Sequence, residues 1–584
     1  MESQTKTCQN CKTSFTIEPD DFSFYEKMGV PAPTFCPECR LIRRLAFRNE
    51  KTLYRHECQK CKTSVLSVYP KDSKVVVYCR PCWWGDSWDG LEYGRDFDDA
   101  KSFLLQFQDL LKNTPLPSLF GIYTTLVNSE YTNMVTDLKN CYMLTHSDLD
   151  ENCLYGSVVD ICKDSVDNLI LSDSELCYET VDCQKCYQVM YSVDCEDCHD
   201  VYLSKNCVGC SDCVGCVNLR MKKYCIWNVQ YSKEEYKKKF EELKLHSYEK
   251  LQELKKIAWD FWKQSPQRYM HERHNASVSG DYIYNSKNTR DSFIVSDMED
   301  SRFCSYVTHG PKTTNSYDFT HYGNGADLLY ESLQVGNRAS RIKFSWYTVL
   351  NTTDMEYSVC STGCKDCFGC VGLKKKEYCI LNKQYTKEEY FILRDKIIAQ
   401  MNTLPYLDAK GLVYRYGEFF PSEFSPFGYN ATTAQEFFPL SQENALEKGF
   451  NWKDPEDKNY TVDITPENLP DTIGEIDETC IAKVIGCQHN GVCEHNCSLA
   501  FKVIPEELQF YKRMNIPLPR LCPNCRHIER THFRNPMKLW TRSCMCDKEG
   551  HDHSGNCQNE FETSYAPDRP EIVYCESCYQ KEVV

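Results

Sequence analysis

Apolar positions change rhythm along this chain, and the changes divide it. Between about 118 and 228 they alternate over short runs, as in Tyr187, Val189, Tyr191 and Val193, which is the period of a β-strand. An Asp followed four residues later by a Cys recurs there (Asp137/Cys141, Asp173/Cys177, Asp182/Cys186, Asp194/Cys198), and the pattern returns roughly every 9 to 13 residues. Short strands and polar turns at a regular period predict stacked layers. We read a parallel β-solenoid with about two such units per coil and ladders of Cys, Val and Tyr inside. A second copy lies 154 residues on, where Cys210, Cys213, Cys216, Cys225 and Tyr236 become Cys364, Cys367, Cys370, Cys379 and Tyr390.

Helical periodicity frames these regions. Phe103, Phe107, Leu110 and Leu111 share one face of a segment spanning Ala100 to Lys112. Ser232-Lys-Glu-Glu and Thr386-Lys-Glu-Glu are capping boxes, and they predict helices over about 233–262 and 387–402. Leu41 and Leu45 make the apolar side of a short helix over 38–49, on which Arg40, Arg44 and Arg48 recur at i+4; Arg526, Arg530 and Arg534 repeat the stripe near the other end. Residues 404–478 are rich in Pro and aromatics and predict an irregular connector, with a short helix near Gln442–Lys448.

The candidate chemistry is a cysteine framework written twice. Cys8, Cys11, Cys36, Cys39, Cys58, Cys61, Cys79 and Cys82 form four knuckle pairs at one end. Cys493, Cys497, Cys522, Cys525, Cys544, Cys557, Cys575 and Cys578 form four at the other. Adding 486 carries Cys11, Cys36, Cys39 and Cys58 onto Cys497, Cys522, Cys525 and Cys544, after which a ten-residue insertion precedes Cys557. A C-x2-C turn presents two thiolates on adjacent corners of a tetrahedron, the shape zinc accepts. Each end thus predicts two closed four-thiolate sites, about four structural zinc ions in all. Near the second copy Cys480, Cys487, Cys546, His551 and His553 are spare, with Cys544 preferred to Cys546 as ligand.

The stretch C-x2-C-x3-F, then F-Y, then P-x-P-x2-C-P-x-C-R, running from Cys8 to Arg40, resembles the "probable zinc-ribbon" domain of uncharacterised bacterial proteins. The whole layout resembles large proteins of uncultivated small-genome bacteria, and the resemblance implies zinc without implying an activity. Proteins of this look are sometimes labelled CaiB/BaiF-type CoA transferases. That fold needs a long α/β pattern with an aspartate nucleophile, which this sequence does not offer.

The expected fold is therefore mixed and β-rich, with terminal zinc ribbons flanking two parallel β-solenoid-like regions joined by helices. Its boundaries are a double ribbon at 1–82, a helical linker at 83–117, a Cys-rich solenoid at 118–231, a bridging helix at 232–262, a second solenoid at 275–383, a helix and connector at 384–478, and a second double ribbon at 479–584.

Composition narrows the function. Thirty-eight cysteines without a visible export signal predict reduced thiols and metal in the cytosol, and no apolar run is long enough to span a membrane. The net charge of −16 would repel nucleic acid if evenly spread, but the arginines crowd beside the cysteine pairs and suggest basic heads on an acidic body. Arg40, Arg44, Arg48, Arg526, Arg530 and Arg534 are accordingly candidate contacts to RNA or DNA, weighed against a solvated face or pairing with the acidic body. The leading expectation is a zinc-binding scaffold that engages nucleic acid or a nucleoprotein complex. The alternatives are a protein-interaction scaffold with structural zinc, or a β-helix carbohydrate-active enzyme using Asp182, Asp194, Asp197 and Asp200. No catalytic triad, phosphate loop or dinucleotide fingerprint is present.

Overall fold

The computed structural model describes residues 2–308, 310–454, 460–493 and 495–584. It is β-rich, with mostly parallel sheets through the middle and cysteine clusters at both ends.

The middle is built on a period of three rather than two. From Met134 to Trp227 every third residue has φ between 47° and 65°, including Gly209 and Gly215. A left-handed residue in each triplet bends the extended chain, so that side chains i, i+3 and i+6 all point inward. Cys195, Cys198, Val201, Ser204, Cys207, Cys210, Cys213 and Cys216 are accordingly all buried. Tyr187 is exposed while Val189, Tyr191 and Val193 are all buried, so the alternation expected there does not hold. Four triplets complete one layer: Asn133 pairs in parallel with Thr145, Leu169 with Val181, Tyr187 with His199 and Ser211 with Lys223, each twelve residues on. One layer therefore holds one repeat unit, not two.

Left-handed backbone also explains the recurring Asp. Asp137, Asp173, Asp182 and Asp194 all have positive φ, a conformation Asn and Asp tolerate better than other residues with a Cβ. Cysteine has its own role. Cys186 and Cys198 donate from Sγ to the carbonyls of Gln184 and Glu196, each at 3.2 Å. At equivalent positions Ser192 and Ser204 donate to Met190 and Tyr202, each at 2.8 Å. The inward residue thus fills the core and satisfies the carbonyl two positions back, which either a thiol or a hydroxyl can do.

Residues 280–384 repeat the scheme with looser spacing. Gly280 pairs with Ser292, Asp327 with Ser340 and Ser305 with Thr320, steps of 12, 13 and 15 residues. Both regions end alike: Asn228 and Asn382 close on the backbone of Val217 and Val371, donating to the carbonyl at 2.9 and 2.7 Å.

The capping boxes at Ser232 and Thr386 are present, and helix Lys387–Thr403 follows the second. After the first, the expected single helix is two, Lys233–Leu243 and Tyr248–Lys263. Lys244 turns left-handed at φ 51° between them, and the Ser247 hydroxyl caps the second helix. Helix Phe103–Asn113 buries Phe103, Phe107, Leu110 and Leu111 in the same core as Trp83 and Trp88. In the connector, helix Gln442–Glu447 forms, and residues 455–459 lie outside the described residues.

The two ends share one element order. Hairpin Gln4–Thr7/Ser14–Ile17, helix Pro19–Met28, helix Pro37–Leu45, hairpin Tyr54–Glu57/Ser64–Ser67, strand Val77–Tyr78 and helix Arg80–Trp84 make up the first. The second has strands Ile485–Gly486/Ala500–Phe501, helices Pro505–Met514 and Pro523–Thr531, hairpin Trp540–Ser543/Glu560–Thr563, strand Val573–Tyr574 and helix Glu576–Val583.

These ends dock crosswise. Helix Pro37–Leu45 lies on the second layered region, where Arg40 meets Asp318 and Phe24 stacks on Tyr317. Helix Pro523–Thr531 lies on the first, where Arg526 meets Asp167 and Tyr511 packs on Tyr178. Strand Val77–Tyr78 pairs with Leu116–Pro117 ahead of the first region, and Val573–Tyr574 with Gln267–Arg268 ahead of the second. Among the described residues no helix is long and apolar enough to cross a membrane.

Candidate metal centres

Each cysteine group is shaped by a hairpin knuckle and the start of a helix. Cys8 and Cys11 flank the turn of the first hairpin, while Cys36 precedes helix Pro37–Leu45 and Cys39 lies in its first turn. The Cys36 backbone N–H donates to Cys8 Sγ at 3.2 Å. The same bond recurs from Cys79 to Cys58, Cys522 to Cys487 and Cys575 to Cys544, each at 3.2 Å. A helix N-terminus thus faces sulfur in all four places, which favours the thiolate.

The sulfurs gather as four foursomes. Cys8, Cys11, Cys36 and Cys39 lie with donor atoms within 4.8 Å of one another, as do Cys58, Cys61, Cys79 and Cys82, and Cys544, Cys557, Cys575 and Cys578. The fourth is Cys487, Cys497, Cys522 and Cys525. Here the expectation from spacing is corrected. Cys493 does not occupy the corner; Cys487 does, making the N–H···S bond that Cys8 makes. The knuckle loop is nine residues long there instead of two, so the nearer Cys493 falls within the loop. The signal available in the sequence was Ile485-Gly486 before Cys487, the counterpart of the strand ending at Thr7 before Cys8.

The donor set fits zinc. A tetrahedron with metal–sulfur bonds of about 2.3 Å has edges of about 3.8 Å. Cys11–Cys36, Cys61–Cys79, Cys487–Cys525, Cys497–Cys522 and Cys557–Cys575 are 3.6, 3.7, 3.9, 3.9 and 4.0 Å apart. The Thr63 hydroxyl and backbone hold the Cys61 thiol down at about 6. Burial raises Cys575, but hydrogen bonds from Asn559 and Ser577 outweigh it and bring that thiol to about 6. Hydrogen bonding with the neighbouring sulfurs pushes Cys39 and Cys525 well above the usual thiol range and holds Cys8 and Cys522 well below it. No cysteine is disulfide-bonded.

Other spare ligands also find places. Cys546 Sγ is 3.1 Å from His551 Nδ1, and His553 Nε2 is 3.4 Å from Cys578 Sγ, so Cys544 rather than Cys546 sits in the foursome. His489, Cys493, His495 and Cys525 form a further group within the same 4.8 Å limit.

No family model matches this chain, and no curated protein matches it. A solved structure described as "putative acetyltransferase from Desulfovibrio desulfuricans G20" shares 12% identity over 39% of this chain and 66% of its own, with a TM-score of 0.11. A likeness at that score carries no argument about fold or activity.

The candidate nucleic-acid arginines are inside the protein. Arg40, Arg44 and Arg48 are at most 1% exposed, and Arg526, Arg530 and Arg534 at most 8%. Arg40 and Arg44 share Asp318 at 2.8 and 3.3 Å, and Arg43 reaches Glu331 at 2.9 Å and Glu418 at 3.3 Å. Arg526 and Arg530 share Asp167 at 2.8 and 3.2 Å. Arg534 meets Asp182 at 2.8 Å, and Arg48 pairs with Glu50. Their donors point at buried carboxylates rather than at solvent, and for Arg40, Arg44, Arg526, Arg530 and Arg534 those carboxylates belong to the layered regions. Spacing at i+4 marked these side chains correctly as one face but could not say what the face meets.

The acids considered for catalysis are corner residues. Asp182, Asp194, Asp197 and Asp200 all have positive φ. Burial pushes the Asp182 carboxyl up to about 7, against the pull of Arg534. Asp194 and Asp182 line a cavity of about 640 Å³ between the two layered regions, with His271, Tyr282 and Tyr284. Asp197 and Asp200 are not among its lining residues.

Proposed function

We propose that this protein is a zinc-holding scaffold: paired zinc ribbons at its two ends clamp two parallel β-solenoids together, and its surface serves a protein partner. The observation that carries the reading is the four foursomes of sulfur, each spaced as the corners of one tetrahedral ion. Closed four-sulfur sites leave no position for water, so the metal acts structurally. Zinc binding of this kind contributes on the order of 10 kcal/mol per site to lobes with small cores. The free thiols favour the cytosol.

The solenoid part of the proposal rests on the twelve-residue parallel register and the left-handed residue in each triplet. The ribbon part rests on the shared hairpin–helix order and agrees with the resemblance read from Cys8 to Arg40. A nucleic-acid role would need cations other than the six arginines named above, since those neutralise buried carboxylates.

Metal analysis of the purified full chain tests the reading. At least four zinc ions per chain and no iron are expected; fewer than four, or bound iron, would refute it. RNA or DNA binding whose affinity falls steeply with salt in the metal-loaded chain would replace the protein-partner reading with the nucleic-acid one.

A further inference from the structure

The nine-residue loop between Cys487 and Cys497 carries three more metal-ligating side chains, His489, Cys493 and His495. The fold turns all three back onto the foursome, where a donor atom of each lies with Cys525 Sγ inside a 4.8 Å cluster. Cys493 Sγ is 3.7 Å from Cys525 Sγ, and the two imidazole rings are 5.2 Å apart. Among the described residues, Nδ1 of His489 and Nδ1 of His495 are both buried and have no hydrogen-bond partner. Buried nitrogens are rarely left so, and two of them beside two sulfurs are what a bound cation would satisfy. On the far side of its ring, His489 Nε2 is 3.7 Å from Glu529 of helix Pro523–Thr531. A carboxylate thus stands on the side of the ring where the outer partner of a ligating imidazole sits, though beyond direct hydrogen-bond distance.

We propose that Cys525 bridges two metal ions. The inner ion is closed by Cys487, Cys497 and Cys522, and the outer is held by His489, Cys493 and His495. Two nitrogens and two thiolates make a complete tetrahedral set for zinc or a similar borderline cation. Charge favours the pair as well. Four thiolates around one divalent ion leave two negative charges, whereas five thiolates around two ions leave one. The copy at the other end has no such set; Cys39, the counterpart of Cys525, takes a hydrogen bond from Asn10 at 3.4 Å instead. Because His489, Cys493 and His495 are only half-buried, the outer ion exchanges faster than the four closed ones.

The proposal rests on the closed foursomes holding zinc, and the experiment separates the two. Native mass spectrometry of the full chain, loaded with zinc alone, should count five ions, and a chromophoric chelator should remove one at least tenfold faster than the rest. Cys493→Ser and His495→Ala, each separately, should count four and lose the fast phase. A wild-type count of four that neither variant changes would overturn the bridged pair. So would a wild-type count of four that Cys487→Ser leaves at four, which would show Cys493 to be an alternative corner for one ion; the bridged pair instead expects five in the wild type and a loss of one in this variant. A wild-type count below four would instead overturn the reading of the closed sites.

Discussion

Replacing Asp318 with Asn would test how the first cysteine module is held. Arg40, Arg43 and Arg44 face Asp318, Glu331 and Glu418 in a cluster whose side chains are no more than 5% exposed. Three guanidinium groups thus balance three carboxylates. Asn keeps the shape and part of the hydrogen bonding but leaves one buried positive charge without a partner, which costs roughly 3–5 kcal/mol. That penalty falls on the docking of helix Pro37–Leu45 against strands Thr313–Gly323 and Asp327–Gly336, not on the sulfur sites. Hydrogen exchange should therefore show helices Pro19–Met28 and Pro37–Leu45 opening more often by roughly two to three and a half orders of magnitude, since each 1.4 kcal/mol is about tenfold. The zinc count should not change. Adding Arg44→Met to Asp318→Asn restores neutrality and should recover a substantial part of the loss, a non-additivity of at least about 1 kcal/mol. A single-variant cost below about 1 kcal/mol, or simple additivity in the double variant, would refute the assignment of the cluster as the clasp.

Removing metal with a strong chelator should strip exchange protection from both terminal modules while the parallel ladders from Asn133 to Ile226 keep theirs; uniform loss would contradict separate stapling. His271 should make stability depend on alkaline pH. Burial pulls its imidazole down, but Asp281 at 2.9 Å and Asp194 at 3.6 Å outweigh burial and lift it to about 10. Its stabilisation, on the order of a few kcal/mol, is complete below the unfolded value near 6.5 and is lost as pH rises through about 10. The difference in urea unfolding between the wild type and His271→Asn should shrink over that window, and a constant difference would disprove the ion pair. At Asp197, exposed and at φ 55°, substitution by Val should cost about 1–2 kcal/mol and substitution by Asn almost nothing. Equal effects in urea unfolding would show that the triplet turn does not set residue choice.

Local chemistry in the sequence determined much of this protein. The knuckle spacing named fourteen of the sixteen sulfurs around helix starts and hairpins outright, and ribbon alignment favoured Cys544 over Cys546. The capping boxes and apolar stripes located the helices after Ser232 and Thr386 and the one around Phe107. The grouping of sulfurs and the helices were legible because knuckle spacing and helix periodicity act over a few residues. The period of three was also in plain view, in Cys207, Cys210, Cys213 and Cys216. The expectation was alternation instead, because a period of two is the ordinary sign of a strand, and left-handed residues break that rule. What only the tertiary structure decided was which surfaces meet. Cys487 displaced Cys493 because a long loop can fold back to a corner that a short one reaches directly. The arginine stripes looked like surface charge because their partners, Asp318 and Asp167, are 274 residues or more away in sequence. Coulomb attraction between groups that far apart along the chain leaves no mark on either segment's local pattern, so the crosswise docking exists only in three dimensions.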